Sequence, residues 1–342
     1  MSKKKVMPDN FYQRLQVNRD ASPEVIEAAY KALIKKFHPD VEGGDTRIAV
    51  DLNDAYETLS DTKKREKYDK EIDDIDRKGT VIGSYRVLEQ IAEGGFGRTY
   101  KGEHLDLKEP VCIKDCSWID PAVDKILMEE AKTIWDLRHF SIPAVRDLVK
   151  LDNNRLALIM SYIPGKTLEQ VIEKTSRLDP ETVAWITERA LNALKYLHYH
   201  GVIHGDVKPQ NIIIQPESHT IVLVDYGLSL VCPTSKSGAK GYTEYFAPPE
   251  QLAGKPLLPE SDFYSLGMTM IYALSGGMKY VQAKEVPDKV PDVFRDFIGR
   301  LIVRDILKRP NWRKEDLCET ITKIRLDCFG RTRSGMKPIP GI

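Results

Sequence analysis

Lys114 closes a short apolar run, Val111-Cys112-Ile113-Lys114, and a cation at a strand end can hold the α- and β-phosphates of a nucleotide. Upstream, Ile91-Ala92-Glu93-Gly94-Gly95-Phe96-Gly97-Arg98-Thr99-Tyr100 places glycines between two strand-like runs, where a bare backbone can approach phosphate oxygens. Taken singly, the lysine reads as an edge residue and the glycines as a tight turn. Downstream, His204-Gly205-Asp206-Val207-Lys208-Pro209-Gln210-Asn211 leads into the strand Ile212-Ile213-Ile214, and the apolar strand Ile221 to Val224 ends in Asp225-Tyr226-Gly227. Carboxylate and amide groups at these strand ends face one cleft. Two hard oxygen ligands for magnesium, a carboxylate beside a nucleophile and a lysine on the transferred phosphate suit phosphoryl transfer. That chemistry needs positioning and charge neutralisation above all.

The elements that must hold these groups are readable. Asp120 and Pro121 start a helix whose buried side carries Ile126, Leu127, Ile134 and Leu137. Glu130 on that helix can orient Lys114 as an ion pair; its neighbour Glu129 competes, and spacing does not choose between them. Asp179 caps a second helix, Pro180 is its first residue, and Val183, Ile186, Ala190, Leu194 and Leu197 recur along it at helical period.

The first 70 residues differ in character. Ser22 and Pro23 open a helix with Ile26, Ala29, Tyr30, Leu33 and Phe37 on one face and Lys31, Lys35 and Lys36 on the other. Pro39 disfavours helical geometry at His38, so the helix stops near Phe37. A second helix carries Ile48, Leu52, Ala55, Tyr56 and Leu59, which makes a helical hairpin with a polar loop at its tip.

Composition sets the frame. At about 150 residues per domain, 342 residues make roughly two. Lys plus Arg and Asp plus Glu number 51 each, so no global charge draws the chain to nucleic acid or an anionic membrane. No apolar run reaches the roughly 18 residues of a membrane span. The basic start, Met1 to Met7, lacks the apolar core of a secretory signal. The five cysteines, Cys112, Cys116, Cys232, Cys318 and Cys328, fit no disulfide or zinc pattern and read as reduced thiols of a cytoplasmic protein. The charge-dense Lys70 to Lys78 reads as a linker or a last short helix, and the Gly-, Pro- and Arg-bearing tail after Leu326 as poorly ordered.

His38-Pro39-Asp40 between two helices, with NFYQRLQV before and LNDAYETLSDTKKREKYD after, resembles a J-domain over residues 9–72. The resemblance implies a DnaK-type chaperone as partner, contacted by His38, Pro39 and Asp40 and steered by Lys31, Lys35 and Lys36. Beyond a linker over 73–84, residues 85–325 resemble the eukaryotic-type protein kinase family in its bacterial branch. Later markers agree: Thr243-Glu244-Tyr245-Phe246-Ala247-Pro248-Pro249-Glu250, then Ser261-Asp262-Phe263-Tyr264-Ser265-Leu266-Gly267, then Arg309, which in this family pairs with the glutamate matched by Glu250. The implied fold is α+β and bilobal, a small β-rich lobe and a helical lobe, preceded by the all-α hairpin; 326–342 is a flexible tail.

The kinase resemblance also assigns roles. Asp206 is the catalytic base, Lys208 contacts the γ-phosphate, Lys114 and Glu130 form an ion pair, and Thr243 belongs to the catalytic set. Asn211 and Asp225 hold magnesium. ATP is bound by Ala92, Gly94, Gly97, Thr99, Cys112, Lys114, Met160, Ser161, Ile163 and Ile213. The acceptors are serines and threonines of proteins, since Lys208 follows the base by two and Thr243 lies downstream. Several residues depart from the pattern: Ala92 for the first loop glycine, Cys112 for alanine, Gly205 for arginine, Tyr226 for phenylalanine and Tyr242 for glycine. Gly205 argues against activation through a phosphorylated segment read by that arginine. Two other readings stand beside transfer: a scaffold with a pseudokinase, and a co-chaperone whose phosphorylation is regulatory.

Overall fold

Helical period and capping organise the chain's first unit. Short α1 (Phe11–Arg14) precedes α2 (Pro23–Phe37), α3 (Thr46–Ser60) and α4 (Thr62–Arg77). The computed structural model describes residues 11–18, 21–38, 46–94, 97–115, 123–151, 155–234, 237–330 and 339. Within it one compact unit holds the residues up to Val81 with Arg86–Glu89, and a second holds the rest. Pro23 sits at the start of α2, and the helix ends at Phe37 as Pro39 requires. Tyr12, Leu15, Ile26, Leu52, Ala55 and Leu59 form the core of the unit, and Tyr30 stacks on Tyr56 at 4.1 Å. On α3 the buried stripe is Ala49, Leu52, Ala55 and Leu59; Ile48, expected on it, is 39% exposed because it lies one residue off that row. Tyr68 of α4 accepts the Phe11 backbone N–H at 2.6 Å, and Tyr12 donates to Asp69 at 2.6 Å, which ties α1 to α4. Residues 73–84, read as a linker, thus contain the end of α4 and the strand β1 (Val81–Ile82).

The second unit opens with strands. After β2 (Tyr85–Gly94) come β3 (Gly97–His104), β4 (Pro110–Asp115), α5 (Val123–Ile134), β5 (Val145–Lys150) and β6 (Leu156–Ser161). The strands β3, β4, β6 and β5 neighbour one another in that order, all antiparallel. Thr99 pairs with Lys114, and Cys112 with Met160. The helical part holds β7 (Lys166–Thr167), α6 (Leu168–Thr175), α7 (Pro180–Tyr199), β8 (Val202–Ile203), β9 (Ile212–Gln215), β10 (Thr220–Leu223), β11 (Leu230–Val231), α8 (Pro249–Leu252), α9 (Pro259–Ser275), α10 (Met278–Ala283), α11 (Asp292–Leu301) and α12 (Leu317–Phe329). Asp179 caps α7 by accepting from the N–H groups of Glu181 and Thr182 at 3.1 and 3.2 Å. The helix α9 is buried nearly all round and stops at Gly276, whose φ of 70° and close approach to the Ser176 carbonyl exclude a side chain. The stretch from 326, expected to be a flexible tail, supplies the last turn of α12, and Ile339 is buried in the core.

One buried ion pair fastens the segment before α9. Arg309 donates from both terminal nitrogens to Glu250, at 2.7 and 2.9 Å, and Ser261 donates to the same carboxylate at 2.8 Å. The guanidinium also lies 4.8 Å from the centre of the Tyr264 ring. Removing one partner strands a buried charge, so Arg309→Met should cost about 3–5 kcal/mol. All four tryptophans lie in the second unit, so urea titration of the full chain followed by tryptophan fluorescence reads that unit. A cost below about 1 kcal/mol would show that Glu250 needs no cation.

Candidate active site

Two antiparallel strands bring the polar groups together. Ile212 pairs with Leu223, so the residue before β9 and those after β10 emerge at the same end. There Val224 N–H donates to the Asn211 carbonyl at 2.9 Å, which sets Asn211 beside Asp225. Asp225 itself has φ 66°, a left-handed backbone that a non-glycine residue adopts only under constraint.

The first cluster centres on Lys114. Its ammonium lies 2.6 Å from Glu130 Oε2 and 2.8 Å from Asp225 Oδ1. The second Glu130 oxygen accepts the Tyr226 N–H at 3.2 Å. Helix rotation separates the glutamate pair: Glu130 is buried with Leu127, Ala131 and Ile134, whereas Glu129 faces outward to Lys240 at 3.0 Å. Burial opposes the charge on Lys114, but Asp225 and Glu130 outweigh it and hold the ammonium protonated. Burial likewise pushes the Asp225 carboxyl up, and the Lys114 charge and hydrogen bond bring it down to about 2. Glu130 is pushed up by its burial, with Lys114 and the Tyr226 N–H acting against that push.

The second cluster centres on Asp206. Asn211 Nδ2 donates to its backbone oxygen and to Oδ2, both at 2.9 Å. Lys208 Nζ lies 2.7 Å from Oδ2. Thr243 donates to Oδ1 at 2.6 Å and accepts from Lys208 at 2.8 Å. With its nitrogen spent on Asp206, Asn211 still offers Oδ1 as an acceptor for a cation. Asp225 keeps 35% of its side chain open. One carboxylate and one amide oxygen fit a magnesium ion that takes its other ligands from phosphates and water. Among the described residues no group of three or more His, Cys, Asp or Glu could hold a metal ion.

A buried carboxylate sets the loop that carries Asp206. Asp262 accepts from His204 N–H at 2.9 Å and Gly205 N–H at 2.8 Å, and lies 2.8 Å from His198 Nε2. Trp312 Nε1, which can only donate, lies 2.8 Å from His198 Nδ1. That nitrogen is therefore unprotonated, and His198 is a neutral imidazole giving its Nε2–H to Asp262. Gly205 has φ 74°, and a Cβ there would stand 2.8 Å from the Leu228 carbonyl. The glycine that departs from the kinase pattern thus relieves backbone strain.

Residues 85–322 match the protein kinase domain family. The chain belongs to that family. Residues 10–69 match the DnaJ domain. Serine/threonine-protein kinase PknA of Mycobacterium tuberculosis (strain ATCC 25177 / H37Ra) is 30% identical over 256 residues, covering 68% of this chain and 59% of PknA. A probable serine/threonine-protein kinase of Clostridium perfringens is 27% identical over 73% of this chain and 39% of its own length. Serine/threonine-protein kinase B of Synechocystis is 30% identical over 57% of this chain and 37% of its own. The chain thus spans about 60% or less of these relatives.

Around the kinase site, Met160 is buried opposite Cys112, and Ser161, Ile163 and Ile213 are half-buried. Burial pushes the Cys112 thiol up to about 12, so it stays protonated. Gly97 has φ 138°, a conformation that favours glycine, Thr99 is half-buried and Ala92 exposed. Gly94 ends β2, and Asp120 and Pro121 lie outside the described residues. Tyr226 is buried, and its added hydroxyl donates to the Leu223 carbonyl at 3.3 Å. In the DnaJ domain, Lys31, Lys35 and Lys36 are exposed on α2, with Lys31 paired to Glu27 at 2.6 Å; His38 is exposed, and Pro39 and Asp40 lie outside the described residues. Residue types alone did not reveal Asp262 as a support of the loop; an aspartate at the head of an otherwise apolar helix was the available signal.

Removing the ammonium should reverse the Asp225 shift. In Lys114→Met, burial is left with less to oppose it, and the carboxyl should rise above the ordinary value near 3.9. A carboxyl carbon NMR titration reads this directly; a value still near 2 would assign the depression to another group. For the wild type the linkage sign is fixed. Asp225 adds stability above about pH 4, lost as pH falls toward 2.

Proposed function

We propose that the chain transfers the γ-phosphoryl group of ATP to serine and threonine hydroxyls of proteins in the cytoplasm, and that its DnaJ domain engages a DnaK-type chaperone and stimulates its ATPase. The observation that carries the transfer reading is the Asp206 constellation: one carboxylate held by Asn211, Lys208 and Thr243, with Asn211 tied by its carbonyl to Val224 next to Asp225 of the Lys114 cluster. Magnesium-ATP supplies the transferable group and charge neutralisation. Every other part belongs to the protein. Lys114 meets the α- and β-phosphates with its charge assured by two carboxylates. Asn211 Oδ1 and Asp225 offer the metal ligands. Asp206 orients the acceptor hydroxyl and receives its proton, and Lys208 faces the γ-phosphate. Thr243 steadies both by bonding to each. Retention of Lys114, Asp206 and Asp225 favours catalysis over a pseudokinase scaffold.

Purified full-length protein with magnesium-ATP should phosphorylate itself or a basic protein, and Asp206→Asn should lower the rate by at least about 10²-fold. Equal labelling by the variant would remove Asp206 from the role. On the chaperone side, the full chain should accelerate ATP hydrolysis by a DnaK-type protein from the same cell, and His38→Gln should abolish the acceleration. Unchanged acceleration by that variant would detach the exposed His38 from the contact.

A further inference from the structure

Three contacts within four residues seat the stretch before Phe246. The Lys240 ammonium reaches Glu129 on α5 at 3.0 Å. The Gly241 carbonyl accepts from Gln251 Nε2 at 2.7 Å, and the same nitrogen donates to the Gly205 carbonyl at 2.8 Å. Thr243 then bonds to Asp206. Gln251 is 4% exposed, so its amide clamps two carbonyls away from water, one on the loop of Asp206 and one on the segment. Glu129 directly precedes Glu130, so a pull on one is felt by the other along the same helical turn. The Lys240 hydrogen bond leads the effects that lower the Glu129 carboxyl.

We propose that Lys240, Glu129 and Gln251 are positioning residues for phosphoryl transfer: the ion pair couples residues 240–243 to the helix that presents Glu130, and the amide clamp couples them to the loop that presents Asp206. This rests on the transfer reading above, deepening it from chemistry to control.

The test uses the full chain with Lys240→Glu, Glu129→Lys and the double exchange. Lys240 and Glu129 are partly exposed, 29% and 41% by side chain, so reversal is compatible with folding. Each single reversal replaces a surface attraction by a repulsion and should lower kcat about fivefold, with KM for ATP changed less than about twofold. It should also speed hydrogen exchange in α5 and residues 237–246. The double exchange should restore both readouts to within about twofold of wild type. Gln251→Glu, which removes both N–H donors, should speed exchange over 237–246 likewise. Unchanged exchange in the single reversals or no recovery in the double exchange would overturn the proposal. If wild type transfers no phosphoryl group while exchange follows this pattern, the seating stands and the transfer reading fails.

Discussion

A buried ammonium ion held between two carboxylates from distant parts of the chain is the constraint on which the second unit is arranged. Taking a lysine out of water costs several kcal/mol unless opposite charge and hydrogen bonds replace the solvent. Here the replacements come from α5, through Glu130, and from the end of β10, through Asp225. Misplacing either element leaves charge unpaired in a poorly solvated place. The sheet, the helix packed on it and the β9–β10 hairpin are therefore mutually fixed, and the Tyr226 N–H on Glu130 adds a second tie between helix and hairpin.

The same logic recurs where the helical part meets the loop of Asp206. Asp262 accepts two loop N–H groups, and a neutral His198, oriented by Trp312, completes its shell. Arg309 and Glu250 fasten the segment that leads into α9. The polar groups of the site thus rest on buried polar groups that serve none of the chemistry themselves. Such networks are favourable only when most donors and acceptors are met, and their members here come from α7, α8, α9 and the loops around Gly205 and Arg309.

Much of the site was legible because its chemistry is written in contiguous stretches. His204 to Asn211 and Asp225 to Gly227 carry both their groups and the strands that aim them. The choice between Glu129 and Glu130 was not legible: adjacent helical residues point about 100° apart, and only the burial of Leu127, Ala131 and Ile134 decides which turns inward. Gly205 read as a lost arginine, whereas its positive φ and the nearby Leu228 carbonyl explain it by backbone geometry. Lys240 and Gln251 carried no signal, because a surface lysine and a glutamine acquire meaning only through the partners that the fold brings to them, Glu129 for the one and the Gly205 and Gly241 carbonyls for the other. Ile48 and residues 326–330 and 339 failed for a simpler reason: composition sees an apolar residue or a basic, glycine-bearing stretch, but not which side of a packed element it meets, and the rest of the expected tail lies outside the described residues.

The charges in the site bear on what the proposed chemistry requires. Lys114 and Lys208 contribute two positive charges and Glu130, Asp206 and Asp225 three negative ones, a balance of one negative when all are ionised. Both lysines are already engaged with carboxylates, so neither presents an unshielded charge. A bare triphosphate would meet a field that repels it on balance, while Asn211 Oδ1 and the open face of Asp225 offer oxygen to a hard cation. In the proposed reaction nucleotide and divalent ion would be thermodynamically coupled, each raising the affinity for the other by the same factor, because each would neutralise what the other finds unfavourable. The arrangement of carboxylates that keeps the lysine charged would then also favour a metal-bound nucleotide over a bare one.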